Sequence, residues 1–154
     1  MLTSVAEQVA AIDTLISLAQ RSIDVFDVDL SDMGWNGAER AGKLAAFLRS
    51  RRHARLAIIV HDTGWIERYG ARLTRLLRNY GHAFTINRTG DDAKSAMDPL
   101  VIVDDMHFVH RHHVAWAHAT LSIGNPERAK PLVERFDEIW ATGEAGVSAS
   151  VLGL

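Results

Sequence analysis

The chain of 154 residues is 47% hydrophobic and 23% charged, the composition of one globular domain with its own core rather than of a disordered or disulfide-stapled chain. Its 17 Lys and Arg against 19 Asp and Glu leave a formal charge of −2, which excludes a partner recruited by overall charge alone, and the lack of cysteine excludes disulfides, thiol nucleophiles and zinc–cysteine centres. No apolar run reaches the ~18 residues of a membrane span, and Glu7 and Asp13 stand where a signal peptide would need a basic stretch, so no membrane association and a cytoplasmic location are expected.

Ser4 with Glu7 has the spacing of a capping box, and Val5, Val9, Ile12, Leu15, Ile16 and Ala19 follow at helical spacing. Ile23 to Val28 is a short strand interrupted by Asp24 and Asp27. A polar loop from Asp29 to Gly37 leads to a second helix, capped by Asn36, that buries Ala41, Leu44, Ala45 and Leu48. Ala54 to Val60 is the near-continuous apolar run of a central parallel strand. His61 to Trp65 turns into a third helix, with Asp62 or Thr63 as its cap. That helix runs from about Ile66 to Tyr80, its stripe formed by Ile66, Tyr69, Leu73, Leu76, Leu77 and Tyr80, and Gly81 closes it. Ala83 to Arg88 is a strand and Thr89 to Met97 a loop. Pro99 to Val103 and Met106 to His110 form a hairpin turning at Asp104-Asp105, and Ala117 to Ile123 is a further strand. Asn125 and Pro126 then start a last helix with Leu132, Val133, Phe136, Ile139 and Trp140 inside. The expected organisation is a single domain over residues 1–141 and a loose tail over 142–154.

Charge is unevenly spread. Between Arg40 and Arg88, ten Arg and one Lys face only Asp62 and Glu67, a local excess of +9 in a chain of net −2. Arg49, Arg51, Arg52, Arg68, Arg72 and Arg75 could contact phosphates; the plainer explanation is a set of solvated helix faces.

Several stretches in order resemble a single phospholipase D-like unit. They are LISLAQRSIDVFDVDLSD, KLAAFLRSRRHARLAIIVHD, LTRLLRNYGHAFTI, PLVIVDDMHFV and HATLSIGNPERAKPLVERFDEIW, which together span roughly residues 5–141. The resemblance implies an α/β fold, an α/β/α sandwich with a mixed, mostly parallel sheet flanked by helices. It also implies a bacterial family of degenerate members, and pairing into a homodimer. The family's HxKxxxxD motif is broken here. With Asp104 at the aspartate position, Met97 and Pro99 stand at the histidine and lysine positions; a shift to Asp105 gives Asp98 and Leu100 instead. The resemblance assigns phosphorus attack to that histidine and phosphoryl binding to that lysine, and neither methionine nor proline can do either. The Gly-Ser and Asn expected after the hairpin are replaced by residues near Arg111, His112 and Val114. Asp27 and Asp29, at the carboxyl end of the first strand, would repel a phosphodiester unless a cation offset them.

Five of the eight histidines lie between residues 107 and 118: His107, His110, His112, His113 and His118. Strand alternation puts His110 and His112 on one face, a spacing able to chelate a divalent metal with Asp27 or Asp29; a hairpin end of half-exposed histidines is the plainer explanation of the cluster. The hairpin register also brings His110 to His112 beside Met97 to Pro99, so His112 could replace the lost nucleophile with Arg111 holding phosphate and Asp104 in its motif place.

Three functions compete. One is a catalytically inactive domain that binds a phosphate-bearing molecule, nucleic acid or protein through a surface including His110, Arg111, His112, Asp27 and Asp29. Another is a phosphodiesterase or metal-dependent hydrolase with a rebuilt histidine site. The third is non-specific nucleic-acid binding by the basic helix face. No cofactor and no resident metal are expected.

Overall fold

The computed structural model of the chain describes residues 1–148. In chain order the elements are α1 (Val5–Leu18), β1 (Ser22–Asp27), α2 (Ala38–Ser50), β2 (Arg55–Val60), α3 (Gly64–Tyr69), α4 (Ala71–Asn79), β3 (Phe84–Arg88), β4 (Leu100–Val103), β5 (His107–Arg111), β6 (Ala119–Ser122), α5 (Pro126–Ala141) and β7 (Glu144–Val147). One sheet of seven strands, ordered β6-β5-β4-β1-β2-β3-β7, separates two helical layers. Alternate residues feed two cores: Ile23, Val25, Ile58, Val101 and Val109 pack with the α1, α2 and α4 layer, while Phe26, Ile59, Leu100, Ile102 and Phe108 pack with α5. The expected α/β sandwich is therefore present. Its sheet is mixed, but parallel pairing is confined to β1–β2 and β2–β3, and the four other pairings are antiparallel. The β4–β5–β6 meander and the return of β7 outnumber the two crossovers.

Local signals explain most boundaries. The Ser4 hydroxyl accepts the Glu7 N–H at 3.1 Å, as an N-cap should. Asn125 likewise accepts the Arg128 N–H at 3.0 Å, with Pro126 in the first turn of α5. Asn36 behaves differently. Gly37 is the N-cap of α2, and the Asn36 amide and carbonyl oxygens instead accept the backbone N–H and Nη1 of Arg72, both at 3.0 Å, tying the loop to α4. The single third helix is also corrected: it breaks at Gly70 (φ −95°, ψ 41°). A Cβ at Gly70 would sit 2.7 Å from the Ile66 carbonyl oxygen. The break turns Leu73, Leu76 and Leu77 into the core and leaves Tyr69, expected on the same stripe, 58% exposed.

The expected loose tail begins as a strand. Gly90 N–H donates to the Thr142 hydroxyl at 3.0 Å, and β7 pairs antiparallel with β3, joined by an Arg88–Glu144 ion pair at 3.2 Å. The remaining predicted tail, residues 149–154, lies outside the described residues.

The hairpin turns where expected, with Asp104 (φ 55°) and Asp105 (φ 56°) both in the left-handed region. The Asp104 carboxylate accepts the N–H groups of Gln20 (3.0 Å), Arg21 (2.7 Å) and Ser22 (3.1 Å), and its own N–H donates to the Ser22 carbonyl at 2.9 Å. Asp104→Ala should therefore lose roughly 2–3 kcal/mol of stability in urea unfolding, because three donors lose their acceptor at once. Asp105→Gly should gain about 0.5–1 kcal/mol by removing a left-handed non-glycine residue with no comparable bonds. Equal effects of the two substitutions would contradict this division of roles.

Candidate functional site

The carboxyl end of β1 carries Asp27 into the α1/α2 layer, where it is 3% exposed. Its Oδ1 accepts the N–H of Val28 at 2.6 Å. Burial pushes the carboxyl up to about 7, helped by Asp32 and opposed by the Val28 N–H and Arg111. Arg111, 6% exposed, ends β5 on the same side. Its Nη1 donates to Asp32 at 2.8 Å, its Nε to the Trp116 carbonyl at 3.0 Å, and its Nη2 to the Val114 carbonyl. Arg111 thus holds the β5–β6 connection rather than waiting for phosphate. Between Gln8, Asp27, Met33, Trp35, Pro99 and Arg111 remains a cavity of about 20 Å³, room for one water. Asp29 stays out of this group, its Oδ1 accepting the Ser31 N–H at 2.9 Å.

The opposite face holds the histidines. His110 Nε2–H donates to Asp98 Oδ2 at 2.8 Å, and Arg135 of α5 grips the same carboxylate through Nε at 2.9 Å and Nη2 at 2.5 Å. Burial alone would raise the Asp98 carboxyl; the hydrogen bonds from His110 and Arg135 outweigh it and hold it down at about 2. His112 stacks on His110 at 5.9 Å between ring centroids, and its Nε2 pairs with the Thr120 hydroxyl at 2.9 Å. His110 and His112 do share a face, and Leu100 opposite His110, with Arg111 N–H on the Pro99 carbonyl, gives the expected register beside Met97 to Pro99. The full set does not converge, however. The sheet separates His110 and His112 from Asp27 and Arg111, and Asp98 is the carboxylate that meets His110. Among the described residues no three metal-ligating side chains come together. Two other histidines of the cluster serve local structure: His107 accepts the Gly124 N–H at 2.8 Å and His113 the Ala115 N–H at 3.0 Å.

Sequence inspection missed the Asp98–Arg135 pair, since nothing local links residues on a loop and on α5. It also missed Arg40, 3% exposed, which bonds Asp13 at 2.8 Å and the Met33 carbonyl at 2.5 Å while stacking 4.7 Å over Trp35. Asp24 is a further buried acid, raised to about 6 chiefly by burial.

The basic residues divide between two grooves. Arg49, Arg72 and Arg75 line one of about 370 Å³ between α2 and α4. Arg51 and Arg52 line another of about 520 Å³ with Arg21, His53 and Arg55, at the end of the sheet opposite Asp27 and Pro99. Arg68, on α3, belongs to neither.

The fold is shared with several solved structures. Nuc from Salmonella typhimurium, a phospholipase D family member, aligns with TM-score 0.60 and 17% identity over 90% of each chain. NucT from Helicobacter pylori gives 0.58 and 15%, covering 92% of this chain and 94% of its own. TrmBL2, an archaeal chromatin protein whose structure shows a novel mode of DNA binding, gives 0.69 and 13% over 94% of this chain; the chain spans about half, 52%, of TrmBL2. No curated protein matches the sequence. The profile of a family described as Domain of unknown function (DUF7931) matches residues 4–148.

A pH dependence follows from Asp27. Because its value in the folded protein, about 7, exceeds the ordinary 3.8, the folded state binds its proton more tightly than the unfolded chain. The stabilisation is complete below about pH 4 and disappears as pH rises through 7. Asp27→Asn, which keeps an acceptor for Val28, should be more stable than wild type at pH 8 by up to about 4 kcal/mol, with the difference vanishing near pH 4. Thermal melts across that range check it; a pH-independent difference would contradict it.

Proposed function

The chain belongs to the DUF7931 family, and we propose that it is a non-catalytic phospholipase D-fold domain that binds a phosphate-bearing ligand and works as a homodimer. The observation that carries this is the closed face at Pro99. With Asp104, whose carboxylate clamps the start of β1, read as the motif aspartate, the histidine and lysine positions fall on Met97 and Pro99. Beside Pro99 the space left between Trp35, Asp27 and Arg111 is about 20 Å³, too small for a phosphodiester. The groups nearest to it are committed: Arg111 to two carbonyls and Asp32, and Asp27 to a buried site that favours its neutral form. Pairing is supported by apolar exposure at this end, where Trp116 is 57% and Met97 37% exposed. A phosphate-bearing ligand is supported by the two arginine grooves, and the description of TrmBL2 as a DNA-binding chromatin protein agrees with it.

One observation favours the rebuilt histidine enzyme instead: His110 is oriented by a carboxylate, as a general base would be. Arg135 takes both oxygens of that carboxylate, however, and His112 lends its Nε2 to Thr120.

Hydrolysis of bis(p-nitrophenyl) phosphate, with and without divalent metals, separates the two. Wild type and a Met97→His/Pro99→Lys variant should both be inactive, because the motif face is filled as well as chemically empty. Turnover by wild type that is lost in His110→Ala or His112→Ala would establish the histidine site and overturn the proposal. Light scattering should give about twice the 17.0 kDa of one chain.

A further inference from the structure

The groove at the amino-terminal end of β1 and β2 is built from three separate stretches of chain. Gln20, Arg21 and Ser22 form one wall, Arg51, Arg52 and His53 the α2–β2 turn, and Arg55 the start of β2. Four guanidinium groups and an imidazole surround about 520 Å³, and no acidic side chain lines it. The α2 dipole accounts for a cation such as Arg49 in its last turn, but Arg21 and Arg55 lie on other segments. Arg51 and Arg52 are exposed, and their side chains make no hydrogen bond or ion pair among the described residues. The buried or half-buried arginines are paired, Arg40 with Asp13, Arg111 with Asp32 and Arg135 with Asp98, and other exposed ones such as Arg68 and Arg78 are unpaired too among the described residues. What sets this groove apart is that four arginines from three stretches of chain converge on it. Here Arg21 gives only Nη2 to the Asp104 carbonyl at 2.9 Å, and Arg55 stands 3.9 Å from Asp24. Arg51 also borders the adjoining groove that holds Lys43, so the positive surface continues along α2.

The geometry points to this groove as a binding site for the sugar–phosphate backbone of a nucleic acid, at the end of the sheet away from the filled motif face. The inference rests on the non-catalytic binding role proposed above and names its ligand. Guanidinium forks suit phosphate oxygens, and Arg51 joins this groove to the one that holds Lys43. No phenylalanine, tyrosine, tryptophan or aliphatic residue lines it, so the recognition proposed is of the backbone and independent of sequence.

The test is fluorescence anisotropy of a labelled 20-nucleotide DNA duplex of arbitrary sequence, titrated with protein across a salt series. Wild type should bind, with affinity falling steeply as salt rises. Arg51→Glu/Arg52→Glu should weaken binding at least tenfold and flatten the log–log salt slope by about two, at roughly 0.9 per phosphate contact. Arg68→Glu/Arg78→Glu makes the same charge change outside this groove and should alter affinity less than twofold. The Arg51/Arg52 variant should also melt within a few degrees of wild type, relief of repulsion among like charges offsetting the acidic charge placed at the carboxyl end of α2, so lost binding cannot be put down to unfolding. Equal losses in both double variants would mean diffuse attraction and overturn the site. No binding by wild type at 50 mM salt would overturn nucleic acid as ligand, while leaving the non-catalytic role to the phosphodiester assay. Cleavage of the duplex by wild type would instead overturn that role.

Discussion

The carboxylate of Asp104 accepts three consecutive backbone N–H groups, those of Gln20, Arg21 and Ser22, while its own N–H bonds back to the Ser22 carbonyl. These bonds clamp the β4–β5 hairpin to the first residues of β1 and so set the antiparallel register Ile23 to Val103 and Phe26 to Leu100. Everything at the other end of the sheet follows from that register. It brings Pro99 beside Asp27, sets His110 opposite Leu100, and delivers Arg111 to Asp32. The same clamp shapes the Gln20–Ser22 wall of the arginine groove. A single buried acid thus organises both ends of the molecule.

Charged groups in this fold fall into two populations. Arg40, Arg111 and Asp98 are removed from water and satisfied on several sides, so each holds chain segments distant in sequence. Deleting one partner of such a pair typically costs about 3–5 kcal/mol, because the other charge is stranded. A group held this way has little freedom to meet a substrate. Arg51 and Arg52 belong to the other population: exposed, unpaired among the described residues, and close to like charges. They contribute nothing evident to folding.

The order of elements was legible because apolar periodicity and caps are local. Ser4, Asn125-Pro126 and the Asp104-Asp105 turn each act within a few residues, and each appears where the sequence places it. What escaped depends on tertiary partners. Asn36 looks like a cap but is captured by Arg72. Gly70 looks tolerable inside a helix, yet the core needs the stripe rotated there. The stretch Glu144–Val147 has no alternation to announce a strand and forms one by pairing with β3. The site shows the same limit. The histidine spacing and the hairpin register were readable, whereas the division of Asp27 and Arg111 from His110 and His112 depends on which side of the sheet each occupies. Asp98 was visible only as a displaced motif residue, because its partner Arg135 arrives from α5.

The face at Pro99 has room for a single water. An active phosphodiesterase needs a water-filled, cationic cleft, and keeping buried cations and a nucleophile unpaired there destabilises the fold. Here Trp35, Met33 and the Arg111–Asp32 pair occupy the region around Asp27. The exposed arginine groove lies in a different energetic regime. Its charges stay hydrated, so their mutual repulsion is weakened by solvent and salt, and the fold can carry them at little cost. That asymmetry between buried and exposed charge is why Arg40 and Arg111 are each held by several partners while Arg51 and Arg52 stay free among the described residues.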